Sequence, residues 1–214
     1  LFTKTAGFRH ATIDVGRQVI QQIAAENDYV LIETEDSAFF DEGKLSNVSA
    51  VVFLHTTGDL FNESQQIALR SYIESGGGFV GVHAAADAEY EWPWYGELVG
   101  AWFESHPQVQ EAQVKVTSGA ELLTSMIPSP WIVRDEWYNY YAVADDLTVL
   151  LSVDESSYTG GNMGSFHPIS WYRTIGLGRS WYTGLGHTEE VWADESFVGF
   201  LSLGLRFAVG DLTP

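Results

Sequence analysis

The sequence predicts an α/β protein in which a parallel, doubly wound sheet carries an antiparallel β extension. Two apolar runs, 50–54 and 79–82, have the composition of strands that are buried on both faces of a parallel sheet. The segment between them is long enough for the crossover helix that two parallel strands require. An alternating stretch at 108–116 and an apolar run at 148–153 predict the antiparallel extension, which reaches about residue 174.

Length and composition limit the classes of protein. A chain of 214 residues with 45% hydrophobic side chains can build one well-packed core, and we expect residues 1–214 to form a single domain. Only 10 basic residues oppose 29 acidic ones, which argues against a nucleic-acid partner, because affinity for a phosphate backbone needs clustered Lys and Arg. An anionic membrane surface is disfavoured for the same reason, and no apolar run is long enough to span a bilayer. The sequence leaves the oligomeric state open.

The amino-terminal half alternates strands and helices. Residues 1–4 predict a strand, and apolar residues at helical spacing predict a first helix over about 13–26, with Thr12 as its N-cap. Residues 29–33 predict a second strand, and another helix is expected over about 63–75. This order of elements is typical of a parallel sheet.

The strand at 79–82 leads directly into a chemically unusual corner. It follows a run of three glycines and ends on His83, after which come three alanines and Asp87. Small residues allow a sharp turn, so we expect His83 to lie exposed at a strand-to-helix corner, at the edge of the sheet where open α/β proteins bind ligands. Asp87 would stand at the start of the following helix as a cap, a ligand or an acid.

All six histidines lie at or just after the end of a predicted strand or helix. The carboxyl ends of parallel strands meet at one edge, so the four histidines that follow such strands can share a cleft; they are His10, His55, His83 and His187. His55 and His106 are interpreted as structural residues that bond to the backbone. Imidazoles beside carboxylates can transfer protons, and the candidate catalytic residues are His10, His83, Asp87, Glu136, His187 and Glu189.

The spacing of His187 and Glu189 predicts a base and its orienting acid. On an extended segment, residues two apart point the same way, so Glu189 can hold one ring nitrogen of His187 and present the other to the cleft. A solvated Glu189 is the alternative.

The same groups suit a divalent metal. Neutral imidazoles with nearby carboxylates bind zinc or manganese, and the candidate ligands are His83, His187 and Asp135. No close pair such as His-Glu-x-x-His occurs, so the sequence does not require a cofactor.

Aromatic residues are dense in two segments beside this edge. Stacking against a sugar ring is the functional interpretation, and burial as ordinary packing is the alternative. The candidate substrate-binding residues are Arg9, Trp92, Trp94, Tyr95, Trp137, Tyr138, His167 and Trp171. Two glycosylation sequons, which begin at Asn47 and Asn62, together with the acidic, Lys-poor composition, predict a secreted glycoprotein.

Seven motifs spread over the chain are similar to those of the ThuA-like (trehalose-utilisation) domains, a branch of the class I glutamine amidotransferase-like superfamily. They are Gly7-Phe8-Arg9-His10, Gly77-Gly78-Phe79-Val80-Gly81-Val82-His83-Ala84-Ala85-Ala86-Asp87, Trp92-Pro93-Trp94-Tyr95, Ser105-His106-Pro107, Asp135-Glu136-Trp137-Tyr138-Asn139, His167-Pro168-Ile169-Ser170-Trp171 and Gly184-Leu185-Gly186-His187-Thr188. One departure is Ala84, where the family commonly has Ser. The resemblance implies the flavodoxin-like fold of that superfamily and a role in carbohydrate metabolism.

The resemblance also limits the mechanism. Amidotransferases of the superfamily place a Cys on the elbow, whereas this chain has His83 there and no cysteine, so thioester chemistry on glutamine is excluded. We expect an enzyme that cleaves glycosidic bonds of an oligo- or polysaccharide, by β-elimination of a 3-keto glycoside or of a uronic-acid polysaccharide, or by acid–base hydrolysis. A uronic carboxylate would need Arg9, Arg134 or Arg173 nearby. A non-catalytic carbohydrate-binding or interaction module is the alternative.

Overall fold

A seven-stranded mixed sheet forms the centre of the protein, and the computed structural model describes residues 1–117 and 121–213. The strands are β1 (Ala50–Leu54), β2 (Thr57–Gly58), β3 (Gly78–Val82), β4 (Asp87–Ala88), β5 (Trp102–Ser105), β6 (Gln110–Val116), β7 (Trp131–Asp135), β8 (Asn139–Tyr141), β9 (Thr148–Asp154), β10 (Pro168–Ile175) and β11 (Gly178–Thr183). The helices are α1 (Ile13–Glu26), α2 (Glu42–Leu45), α3 (Glu63–Glu74), α4 (Pro93–Val99), α5 (Glu189–Trp192) and α6 (Glu195–Val209). Short 3₁₀ helices cover Ser37–Phe39, His83–Ala86 and Glu155–Ser157.

The strand order in this sheet is β1-β3-β11-β10-β9-β6-β7. The strands β1, β3 and β11 run parallel, with Gly78 opposite both Ala50 and Arg179. From β11 onward every neighbouring pair is antiparallel. The parallel pairing of the two apolar runs and the antiparallel extension are both confirmed, although residues 118–120 of that extension lie outside the described residues.

In the part of the chain that the structure describes, parallel pairing continues beyond β1 through isolated bridges. Phe2 bridges to Phe53 on one side and to Thr34 on the other, so the amino-terminal segment lies beside β1 without forming a regular strand. The predicted strand at 29–33 is wrong. The bridge to Phe2 comes one residue after it, and Val30 within it is 93% exposed, so this apolar run gains little burial at the edge of the sheet.

Helices cover both faces of the sheet, as predicted. Adjacent residues of β11 point in opposite directions: the ring of Trp181 packs 5.0 Å from that of Phe200 in α6, and Ser180 donates to the carbonyl of Leu98 in α4 over 2.6 Å. The first helix has the predicted bounds. Among the described helices, none combines the length and apolar character that crossing a membrane requires.

The corner after β3 differs from the expectation in two ways. His83 is completely buried rather than exposed, and Asp87 belongs to β4 rather than to a helix start. The reason is that β4 pairs in parallel with β2, so the 3₁₀ turn His83–Ala86 is enclosed by the fold. The alanines fit because the core surrounds them, and the hydroxyl of Tyr95 donates to the carbonyl of Ala85 over 2.8 Å.

Candidate functional site

Four metal-ligating side chains converge at the carboxyl ends of the strands. His10, His83, Glu136 and His187 each offer one donor atom, and these atoms lie within 4.8 Å of one another. His83 follows β3, Glu136 follows β7, and His187 lies four residues after β11. The structure therefore brings together four of the six candidate catalytic residues, and we name them the His/Glu cluster.

Three donor atoms of the His/Glu cluster form a nearly equilateral triangle. Glu136 Oε2 lies 3.3 Å from His83 Nε2 and 3.3 Å from His187 Nδ1, and the two nitrogens are 3.3 Å apart. The other oxygen of Glu136, Oε1, lies 3.0 Å from His106 Nδ1. Glu136 is thus shared by three imidazoles.

The charges of the cluster are set by burial and by these contacts. Burial alone would raise the pKa of Glu136, but its contacts with His187 and His83 outweigh burial and hold that pKa well below its usual range. The hydrogen bond to Glu136 raises the pKa of His187. Burial, reinforced by the nearby His83 and His187, lowers the pKa of His10 to about 3. At neutral pH Glu136 is therefore an anion and His10 is a neutral electron-pair donor.

His55 forms a second layer beneath His10. It was expected among the four histidines at this edge of the sheet, with a structural role. The two rings stack with centroids 4.6 Å apart, and burial lowers the pKa of His55 well below its usual value. Its Nε2 lies 3.2 Å from the hydroxyl of Thr12. Within the described part of the chain, Nδ1 of His55 and Nδ1 of His10 are buried without a hydrogen-bond partner. A buried polar atom without a partner costs free energy unless a bound ligand supplies the missing contact.

Thr12 supports the site instead of capping α1 with its side chain. It occupies the N-cap position but makes no side-chain capping bond. Its hydroxyl lies 3.3 Å from the carbonyl of Gly186 and 3.2 Å from that of His187. The start of α1 is therefore tied to the loop that carries His187.

His106 also contacts the His/Glu cluster, although a structural role was expected for it from the sequence. Its side chain is 42% exposed and contacts Glu136 from the solvent side. The signal available in the sequence was its motif, Ser105-His106-Pro107, which places it directly after a strand. Spacing alone could not bring it to Glu136, because that contact depends on the pairing of β5 with β8.

Asp135, a candidate metal ligand, has another role. It is completely buried, and both its oxygens accept backbone N–H groups, Oδ2 from Gly186 over 2.7 Å and Oδ1 from Thr188 over 3.0 Å. Burial raises its pKa. Asp135 therefore fixes the backbone on either side of His187, and the neighbouring residue Glu136 supplies the carboxylate to the cluster.

The predicted pairing of His187 with Glu189 does not form. Among the described residues, the carboxylate in ion-pair contact with His187 is that of Glu136. Thr188 caps α5 through its side chain, so Glu189 begins a helix and is exposed. The expectation failed because it assumed an extended segment, whereas the chain turns into α5 at that point.

Asp87 and Tyr138 lie at the border of the cluster. The ring of Tyr138 packs 4.1 Å from that of His83. Asp87 Oδ1 accepts the hydroxyl of Tyr90 over 2.6 Å, and burial raises the pKa of Asp87. Both residues were candidates from the sequence.

The remaining candidate substrate-binding residues make contacts within the fold. Their polar atoms are satisfied by partners within the fold: Trp94 donates to Glu74, Tyr95 to the carbonyl of Ala85, Trp137 to that of Gln110 and Trp171 to that of Val99, while His167 lies between Glu155 and the carbonyl of Tyr138. Trp92 packs on Trp94, and Arg9 pairs with Glu35 over 2.9 Å. Glu74 ends α3 just before β3 begins, so Trp94 lies toward the opposite edge of the sheet.

Two cavities of the fold lie away from the His/Glu cluster. One of about 440 Å³ lies beside β1, between Ile20 of α1 and Leu205 of α6, and its lining is mostly apolar. It lacks the histidines and carboxylates that give the cluster its chemistry, so we place the candidate site at the cluster.

Solved structures share this fold. A ThuA-like protein from Bacteroides uniformis ATCC 8492 has a TM-score of 0.80 at 24% identity, over 97% of this chain and 89% of that one. Another from Parabacteroides merdae ATCC 43184 has a TM-score of 0.81 at 19% identity, over 98% and 89%. A cold-adapted β-galactosidase from Rahnella sp. R3 has a TM-score of 0.61 at 12% identity, over 97% of this chain but only 31% of that enzyme.

The comparison of sequences points to one family. No curated protein matches the chain. A family model described as trehalose utilisation (ThuA) matches residues 1–208, and this description gives the protein a carbohydrate-related role. The chain belongs to the trehalose-utilisation (ThuA) family.

Proposed function

We propose that this protein is a metal-dependent carbohydrate-active enzyme that cleaves a glycosidic bond next to a ketone group. The observation that carries the proposal is the triangle of donor atoms from His83, Glu136 and His187, with edges of 3.3 Å. A tetrahedral zinc site with bonds of about 2.0–2.1 Å separates its ligand atoms by about 3.3–3.4 Å. The donors therefore have the spacing of ligands around a cation.

Hydrogen bonds alone explain the triangle less well. The carbonyl of Gly184 lies 2.6 Å from His83 Nδ1 and can only accept, so in the neutral ring Nδ1 carries the proton and Nε2 presents a lone pair. A proton on His187 Nδ1 can point at His83 or at Glu136, but not at both. A cation at the centre would satisfy all three atoms, and a nitrogen of His10 could complete the set. Three imidazoles and one carboxylate suit zinc or manganese.

A divalent cation in this position would supply a Lewis acid for a carbonyl oxygen of the substrate. Around it, His83 is oriented by Gly184, and His187 is held by the backbone contacts of Asp135. Such supporting contacts fix the direction of ligands and commonly change metal affinity by about 10- to 100-fold.

His106 and Asp87 supply the acid–base chemistry of the proposal. His106 Nδ1 lies 3.0 Å from Glu136 and 2.9 Å from the carbonyl of Pro107, both acceptors, so Nδ1 carries the proton and Nε2 is the basic atom. The raised pKa of Asp87 favours its protonated form and suits a general acid. The base and orienting acid expected at residues 187 and 189 are thus replaced by His106 and Glu136.

The reaction is an elimination. Nε2 of His106 takes the proton from the carbon beside the ketone, and the electrons of that C–H bond form a double bond to the anomeric carbon. The bond from the anomeric carbon to the leaving oxygen breaks, and Asp87 gives that oxygen its proton. The products are an unsaturated keto sugar and a free alcohol.

A neutral keto sugar fits the charges better than a uronic-acid polysaccharide. Each arginine that could bind a uronic carboxylate has an acidic partner already: Arg9 pairs with Glu35, Arg134 with Glu190 and Arg173 with Asp146. The net charge of −19 also repels a polyanion.

The test combines metal binding with product analysis. Chelator-treated protein is titrated with zinc or manganese, and native and oxidised oligosaccharides are then searched for new reducing or unsaturated ends, with and without the metal. We expect one equivalent of metal and metal-dependent cleavage of the oxidised sugars. Binding of sugar without cleavage of any substrate in the panel would instead support the non-catalytic module, and absence of metal binding would remove the metal role.

A further inference from the structure

We propose that Tyr90, Trp102 and Tyr141 form a sugar-binding platform beside the His/Glu cluster, which binds a second unit of a neutral oligosaccharide. This inference rests on the proposed carbohydrate function and adds a subsite to it. None of the three residues belongs to the cluster or was a candidate from the sequence.

The three rings lie side by side. Their centroids are 6.3 Å apart for Tyr90 and Trp102, 6.5 Å for Tyr90 and Tyr141, and 5.9 Å for Trp102 and Tyr141, with interplanar angles of 26°, 8° and 21°. In a stacked column the outer two rings would be about twice as far apart as neighbours. The near-equal distances therefore describe a tiled surface, and Tyr90 and Tyr141 are 39% and 42% exposed on it. An apolar, nearly flat surface with polar edges is the shape that binds the C–H face of a pyranose.

The platform is held rigid by the fold. Trp102 and Tyr141 are opposite each other in the antiparallel pair β5 and β8. Trp102 Nε1 donates to the carbonyl of Ala88 over 3.3 Å, and its ring fills the space where a side chain at Gly96 would lie. Rings that are ordered before binding lose little conformational entropy when a ligand stacks on them.

Tyr90 connects the platform with the site. Its hydroxyl donates to Asp87, the proposed acid, and lies 3.2 Å from the carbonyl of Phe103 in β5. The same strand continues from Trp102 to His106, a distance of roughly 13 Å at about 3.3 Å per residue. An oligosaccharide whose scissile bond lies at the cluster can therefore extend one or more units onto the platform.

The charges at the rim select the kind of sugar. Glu104 lies two residues after Trp102 on β5 and is exposed, and its Oε2 accepts Asn162 Nδ2 over 2.8 Å. Glu91 is close enough to Tyr141 to act on its ionisation. Carboxylates accept hydrogen bonds from sugar hydroxyls and repel uronates, so the platform suits neutral units.

The test measures affinity and KM against chain length, with neutral oligosaccharides of one to four units in native and oxidised form. We expect the wild-type affinity to rise from the monosaccharide to the disaccharide or trisaccharide. Tyr141→Ala should remove this gain, a loss of about fivefold, as expected for one aromatic contact. Tyr141→Phe keeps the ring and should retain the gain. Leu177→Ala removes another exposed apolar side chain, at the opposite edge of the sheet, and should change nothing.

The outcomes separate this inference from the proposed function. Equal length dependence in wild type and Tyr141→Ala, or no length dependence in wild type, overturns the platform even if cleavage is observed. Length-dependent binding that Tyr141→Ala removes, in a protein that cleaves nothing, supports the platform and refutes the proposed reaction. Thermal unfolding of Tyr141→Ala confirms that the variant is folded, and Tyr141→Phe excludes a merely structural effect.

Discussion

His83 Nδ1 lies 2.6 Å from the carbonyl oxygen of Gly184. The two residues follow paired parallel strands, because Val82 at the end of β3 is opposite Thr183 at the end of β11. The backbone of the sheet therefore fixes the tautomer of His83 and turns its Nε2 lone pair toward Glu136. The position of one carbonyl thus prepares this histidine as a ligand before any metal binds.

His83→Ala should destabilise the protein as well as abolish activity. The substitution removes a fully buried ring that packs on Tyr138 and leaves the Gly184 carbonyl without its donor. We expect a loss of about 2–4 kcal/mol in the free energy of unfolding, measured by urea denaturation. His106→Ala, at an exposed position of the same site, should lose less than about 1 kcal/mol. Equal stabilities of the two variants would contradict the buried position of His83.

Metal should stabilise the folded protein through Glu136. At a free metal concentration 100 times its dissociation constant, binding adds about 2.7 kcal/mol to the free energy of unfolding. Thermal melts of chelator-treated protein should therefore shift upward when zinc or manganese is added. Glu136→Gln removes the shared carboxylate and should abolish most of the shift, whereas Glu189→Gln should retain it. A full shift in Glu136→Gln would refute the proposed ligand set.

The metal-free protein should lose stability as the pH falls below about 6.5. His10 has a folded pKa near 3, so between pH 3 and 6.5 the unfolded chain binds the proton more readily and stability rises with pH. His55 acts in the same direction. When the unfolded chain binds one proton more than the folded protein, the free energy of unfolding changes with a slope approaching about 1.4 kcal/mol per pH unit. The pKa of His187 is raised in the folded protein, so this residue acts in the opposite direction. Its contribution to the free energy of unfolding is complete when the pH is below its pKa in the unfolded chain. That contribution is lost as the pH rises through its pKa in the folded protein.

Chemical denaturation at several pH values in the presence of chelator measures this dependence. The free energy of unfolding should be highest near pH 6.5, and His10→Gln should flatten the acidic side of the curve. A wild-type curve that stays level from pH 6.5 down to pH 4 would show that the histidines are not buried as the structure has them.

The parts of the site that follow from strand ends were predictable from the sequence. His10, His83 and His187 each follow a segment of the parallel sheet, and the rule that such ends share one edge is enough to bring them together. Glu136 was also a candidate, although its place opposite all three depends on the antiparallel extension. Periodicity and apolar runs predicted β1, β3, α1 and α3, because these elements bury continuous surfaces.

Contacts that depend on turns, or on the pairing of the short strands β5 and β8, could not be predicted from the sequence. Glu189 was paired with His187 on the assumption of an extended segment, and the start of α5 invalidates that assumption. Buried and accessible aromatic residues could not be told apart for a similar reason: Trp94 and Trp171, which the structure buries, look the same in the sequence as Trp102 and Tyr141. Only the paired strands β5 and β8 show which rings face outward.

Asp135→Asn should impair metal binding although Asp135 touches no metal. Its two oxygens accept the N–H groups of Gly186 and Thr188, and an amide can replace only one of these acceptors. We expect metal affinity to fall by about 10- to 100-fold, as the loss of a supporting contact does elsewhere. Calorimetric titration measures it, with Glu189→Gln as the control, since Glu189 is exposed and close in sequence. If both variants bind metal like the wild type, Asp135 does not position His187.

His106 and Asp87 should separate catalysis from metal binding. Neither belongs to the proposed ligand set, so both variants should still bind one equivalent of metal, although His106→Ala loses a contact with Glu136 and should bind it more weakly. At saturating metal, His106→Ala and Asp87→Asn should each lose about 100- to 10,000-fold in kcat. A base must be deprotonated, so His106→Ala should remove the acidic limb of the pH–rate profile. An acid must be protonated, so Asp87→Asn should remove the alkaline limb, which reflects the raised pKa of Asp87. If His106→Ala removed the alkaline limb, or Asp87→Asn the acidic limb, the roles of acid and base would be exchanged. If both variants kept both limbs of the pH–rate profile, the proton transfers would belong to the His/Glu cluster itself.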